Sequence, residues 1–318
     1  MDHTIDTQDT HSRESSRAAS QIAEYARTAR ATGNAHARTV LAWAWRWRII
    51  DPHIVRELLG GSRSSSYRIL ARLRRHGLLQ PVPVSGTPAA PWMLTAAGAD
   101  AIASHLDPDD LELSPLTAPD RLRLAQVPHD LLTQHFALHL AHRPPQVVVD
   151  LIARRRAEVA KEVCYPLGDI EIVIRPAAWY ETIRIRIANK YPDAVIEYII
   201  DRNSYASILL ATECQQTPEP RHVRERIMAG YCEALASDRQ DNQWAGVDAV
   251  AWCSTRPGIP SLYKSVLGPN LTSWHRTASR HWIRVPSTHP YQDWQYPRVL
   301  EVSAPELESL YYRLVLGG

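Results

Sequence analysis

The sequence predicts an α+β protein in two parts: a small helical unit carrying one hairpin, then a larger unit in which strands alternate with helices. Three observations predict it. Between residues 38 and 76 apolar side chains recur at three- and four-residue steps, broken by capping residues and glycines. After residue 180 the apolar residues gather instead into β-branched runs of strand length. Between the two parts lies 107–120, acidic and proline-bearing, which reads as a linker.

Composition narrows the class. The chain has 318 residues, 45% of them hydrophobic and 22% charged, which excludes a wholly disordered or collagen-like protein. Four cysteines, Cys164, Cys214, Cys232 and Cys253, stand singly with no pair at zinc-ligand spacing, and no apolar leader opens the chain. A cytoplasmic location is expected. No apolar run reaches the eighteen or so residues that span a bilayer, so no membrane partner is expected.

Residues 1–36 are polar, with too little apolar surface to offset the entropy of ordering, and read as a disordered arm. A helix from Arg38 buries Val40, Leu41, Trp43, Ala44 and Trp47 on one face. Asp51-Pro52 supplies the N-cap and first position of a second helix, which Gly60-Gly61 stops. The third begins at Ser62 or Ser64 and runs to His76, with Gly77 placed as its C-cap. Leu78–Val84 and Trp92–Leu94 bracket Ser85-Gly86 as a hairpin, and Thr95 caps a last helix to about Leu106. Helix, helix, helix, hairpin, helix over 37–106 is the order of a winged helix-turn-helix.

The larger unit, 121–318, opens with a helix at Pro128–Ala141. Strands follow at Ile183–Ile187, Ala194–Ile200 and Tyr205–Thr212, the last two joined by the turn 201–204. Helices at Arg221–Ser237, Ser261–Leu267 and Ala304–Leu316, with strands at Val247–Cys253, Trp282–Val285 and Arg298–Val302, complete a mixed sheet. His135, His139 and His142 share one side of the first helix and read as surface histidines.

Charge is segregated. Residues 38–80 hold nine arginines against Asp51 and Glu57, in a chain whose net charge is +2. On the third helix Arg68, Arg72 and Arg75 share a face, while Ile69, Leu70 and Leu73 lie roughly opposite. The planar guanidinium pairs with phosphate or with a guanine edge, and Arg63, Ser64, Ser66 and Tyr67 at the helix start can reach the DNA backbone. Double-stranded DNA at an origin or operator site is the expected partner. Homodimerisation is left open.

A second pattern is acidic. The hairpin of Ala194–Ile200 and Tyr205–Thr212 places Asp193 at its start beside Glu213 at its end, because the strands are nearly equal in length. Gln215, two residues on, would share the face of Glu213. Two converging carboxylates are the hard oxygen ligands that hold Mg²⁺ or Mn²⁺ in a metal-dependent phosphodiesterase, and Glu158 or Glu162 could add a third from a helix. The alternative is that Asp193 caps a turn and Glu213 makes a surface salt bridge.

The order winged helix, linker, His129-Asp130 opening a helix, Tyr191-Pro192-Asp193-Ala194-Val195-Ile196, Leu210 to Glu213, and a helix ending Gly230-Tyr231 resembles the replication-relaxation family. That family includes MobC-type plasmid relaxases, and its second domain is similar to restriction endonucleases of the PD-(D/E)XK type. The resemblance covers 37 to about 255. It implies a restriction-endonuclease-like mixed α/β domain and a catalytic set of Asp193, Glu213, Gln215, Tyr231, His129 and Asp130, with Asp193 and Glu213 as metal ligands. Gln215 stands where a lysine is usual, and Arg224 or Arg226 would have to supply that charge. Strand cleavage in plasmid mobilisation or replication is one implied function. A DNA-binding regulator or accessory factor without cleavage is the other.

Overall fold

A computed structural model describes residues 33–84, 90–118, 122–179, 191–236, 246–268, 271, 273–276, 282–285 and 292–305. Residues 1–32 of the arm expected over 1–36, the Ser85-Gly86 turn, the Ile183–Ile187 strand and all but the start of the closing helix lie outside them; residues 33–36 are helical rather than part of a disordered arm.

Helix α1 covers 33–47, with Trp43, Trp45 and Trp47 buried along it. Helix α2 (Pro52–Leu59) begins where the Asp51 carboxylate accepts the Ile54 N–H, and ends at Gly60, whose φ of 61° is left-handed. Helix α3 (Arg63–Arg75) is capped by the Ser62 hydroxyl, which accepts the Ser65 N–H. Strands β1 (Leu79–Pro81) and β2 (Trp92–Leu94) pair antiparallel. Helix α4 (Ala96–Ala103) follows under the Thr95 cap. It packs close: a β-carbon added to Gly98 would meet the Leu78 carbonyl oxygen at 2.0 Å, so only glycine fits there.

The stretch read as a linker is pinned. It contains α5 (Pro108–Leu111), where Arg46 grips the Asp110 carboxylate at 2.6 and 2.7 Å and the Trp45 indole donates to the Asp110 carbonyl.

In the larger unit, α6 (Val127–His142) and α7 (Gln146–Glu162) precede β3 (Glu171–Pro176), β4 (Ala194–Asp201) and β5 (Ala206–Cys214). Helix α8 (Arg221–Ala236), β6 (Ala249–Ser254) and α9 (Ile259–Lys264) follow. A two-stranded ribbon of β7 (Ser273–Arg276) and β8 (Trp282–Val285) precedes β9 (Val299–Ser303). One mixed sheet runs β3-β4-β5-β6-β9, antiparallel through β5 and parallel beyond it. Strands β4, β5 and β6 are buried almost throughout, as central strands covered by helices must be.

Helix α6 packs on β4 and β5 and also on α2, so its apolar residues lie all round it. This corrects the surface reading of its histidines. His135 is buried with Nδ1 2.8 Å from Glu57 on α2, whereas His139 and His142 are exposed. Gln134 on the same helix accepts the Trp43 indole N–H at 2.7 Å and donates to the Ile49 carbonyl. The two units therefore share one continuous core.

Candidate functional site

The first candidate surface is α3. Its buried side is Ser66, Leu70 and Leu73, while Arg63, Ser64, Tyr67, Arg68, Arg74 and Arg75 are exposed. The Arg63 guanidinium lies over the Tyr67 ring at 5.8 Å. Two sequence expectations change here. Ser66 is buried and its hydroxyl donates back to the Ser62 carbonyl, because the helix turns that position toward the core. Arg72 is half-buried and donates to the Gly33 carbonyl at 2.6 Å, so it ties α3 to the start of α1.

The second candidate is a cavity of about 290 Å³ at the joint between the units. Arg46, Trp47 and Arg48 line it from the end of α1, and Gln126, His129, Asp130 and Thr133 from the start of α6. Tyr191, Asp193 and the backbone after β3 close it. Arg48 has φ of 68°, a left-handed conformation for a branchless but bulky side chain, at the point where α1 gives way to the strand-like bridge at Ile50.

His129 Nε2 lies 3.4 Å from Asp193 Oδ1. Burial draws this imidazole down, but the Asp193 hydrogen bond and the charges of Asp193, Asp130 and Glu213 outweigh it, and its pKa stands above the ordinary histidine value. Burial pushes the Asp130 carboxyl up to about 6; Asp193 adds to the rise, and His129 and Arg48 oppose it. The site can therefore exchange a proton near neutrality.

The register Ala194↔Thr212, continued by one residue, sets Asp193 opposite Glu213, as the strand lengths predicted. Their side chains reach different elements. Asp193 faces His129 on α6, and its Oδ2 accepts the Cys214 N–H at 2.7 Å. Glu213, 2% exposed, accepts the hydroxyl of Tyr231 on α8. Tyr231 is fully enclosed, edge-on to Trp252, and burial followed by the neighbouring Glu213 charge holds its pKa well above the usual phenol value.

Gln215 is not brought to the acids. The strand ends at Cys214, alternation ends with it, and the Gln215 amide donates to the Thr217 carbonyl. Its neighbour Gln216 is the buried one, accepting from Ser254, Thr255 N–H and Thr255 Oγ1. Arg224 turns to the Leu262 carbonyl, and Glu158 stays on the surface beside Arg155. Glu162 is exposed as well.

These commitments do not fit Mg²⁺ or Mn²⁺ held between Asp193 and Glu213. One oxygen of Asp193 is spent on a backbone donor, and the Glu213 carboxylate is capped by a buried phenol. Among the described residues no three His, Cys, Asp or Glu side chains are grouped to hold a metal. Arg46, Trp47 and Arg48 carry no motif that would have marked them as site residues; only the tertiary joint places them there.

No protein family matches the chain, and no curated protein matches it. Among solved structures it is similar to ZitR of Lactococcus lactis, a mutant in apo form, at 12% identity and a TM-score of 0.22, over 46% of this chain and 96% of that one. Among the described residues no helix is long and apolar enough to cross a membrane.

Proposed function

We propose that the protein binds duplex DNA at a defined site, an origin or operator of a mobile element, through α3. One observation carries this reading. Helix α3 packs on one side and leaves Arg63, Tyr67, Arg68, Arg74 and Arg75 in solvent on the other, next to an antiparallel hairpin. On this reading α3 is the recognition helix of a winged helix-turn-helix and β1–β2 its wing, and the mixed sheet belongs to a restriction-endonuclease-like domain. Arginine serves both tasks required, pairing with phosphate for affinity and with guanine for sequence.

The test selects bound sites from random duplexes and measures affinity against salt. Arg68→Ala and Arg75→Ala should each lower the log–log salt slope by about 0.9 per lost phosphate contact. Arg72→Ala should lower it less, because that side chain is held by Gly33. Equal binding by a folded Arg68→Ala/Arg75→Ala protein would remove the reading.

A second reading, strand cleavage, is favoured by the Asp193–His129 contact beside Glu213. Incubating the bound duplex and scoring nicked strands, with and without added divalent cation, tests it, and cleavage lost in Asp193→Asn would support it. Tight binding without cleavage would leave a DNA-binding regulator. The enclosure of Tyr231 speaks against its use as a covalent nucleophile, since a phosphate would have to displace Glu213 to reach it.

A further inference from the structure

Away from DNA and the joint cavity, α7 carries a face with no partner assigned so far. We propose that this face pairs antiparallel with α7 of a second copy of the chain. Ala153, Ala157 and Ala160 line an open groove with Tyr165, Pro166 and Leu167, so a second helix can approach closely there. Tyr165 is 41% exposed at the groove edge, although its hydroxyl is held by Asp201 at 2.8 Å.

Small residues alone select no occupant; the charges beside them do. Asp150, Arg154, Glu158 and Lys161 are all exposed on the same helix. In an antiparallel pair about a two-fold axis, residues equidistant from the axis face each other. Asp150 and Lys161 are equidistant from the midpoint of Arg155 and Arg156. Arg154 and Glu158 are centred on Arg156, and Ala153 and Ala157 on Arg155. Opposite charges and small residues thus share one centre to within about half a residue. A copy laid antiparallel about that centre sets Asp150 against Lys161 twice, Arg154 against Glu158 twice, and alanine against alanine between them. A parallel copy would set each charge against itself.

The exposed bonds that these groups make within one chain, Gln146 to Asp150 and Arg155 to Glu158, are weak enough to exchange. A helix of 17 residues is about 25 Å long, so the patch is small and the dimer should dissociate in the micromolar range.

Sedimentation of the full chain without DNA, across about two decades of micromolar concentration, tests this. Wild type should pass from monomer to dimer. Ala157→Arg should remain monomeric, with a melting temperature equal to that of wild type at concentrations where wild type is monomeric, because residue 157 is exposed. Asp150→Lys and Lys161→Asp should each raise the dissociation constant about tenfold, and the double exchange should restore it. A wild-type protein monomeric throughout, a dimeric Ala157→Arg, or a double exchange that behaves no better than the singles would overturn the proposal.

Discussion

Asp130 sits in the first turn of α6, where a helix N-terminus favours a carboxylate, yet burial against the joint cavity raises its pKa to about 6. The folded state holds that proton more tightly than the unfolded chain, so this group's contribution falls as pH rises from about 4 to about 6 and is level above. His129 adds stability that is complete below its unfolded pKa of 6.5 and is lost as pH rises through its higher folded value. Asp130→Asn should therefore gain on wild type as pH rises from about 4 to about 6 and stabilise the protein at pH 7, by up to about 3 kcal/mol. A variant no more stable than wild type at pH 7 would contradict this. Tyr231→Phe removes one donor from the buried Glu213 and should cost about 2 kcal/mol by denaturant titration. Glu213→Gln should cost less, because the neutral amide is cheaper to bury.

Helix boundaries follow from local chemistry, and for that reason they could be read from the sequence. Asp51, Ser62 and Thr95 each accept a backbone N–H three residues on, and Gly60 and Gly77 take left-handed φ. The need for glycine at 98 follows from a contact with Leu78, a residue twenty positions earlier, and so has no local signal. Gly98→Ala should force α4 off the hairpin and cost on the order of 3 kcal/mol, read as a fall in melting temperature. Strand β3 escaped sequence reading because Ile172 and Ile174 are framed by Glu171, Arg175 and Pro176, too short and too charged a run to stand out. The Asp193–Glu213 juxtaposition was legible because strand lengths fix the register. What the two side chains face was not, because α6 and α8 approach from distant parts of the chain.

Across the molecule, the joint is made by contacts between residues 78 to 91 positions apart, such as His135–Glu57 and Trp43–Gln134, which no local pattern encodes. With one core shared by both units, unfolding should be a single cooperative transition by calorimetry, with agreement between the calorimetric and van't Hoff enthalpies. Trp43→Phe, which leaves Gln134 without its indole donor, should lower the temperature of that transition without dividing it in two. Two resolved transitions in wild type would refute the shared core.

Helix α6 completes the interior of the N-terminal helical unit as much as that of the sheet, and this limits what can be transplanted. A chimera cut after Leu106 would strip Trp43, Ile49 and Glu57 of the surface that covers them and yield a sticky, poorly folded fragment. A graft extended through Arg143 would carry its own lid. The smallest exchangeable part of this protein is thus set by the far end of a helix outside α3, and if α3 reads DNA as proposed, changing that specificity means swapping residues on α3 in place.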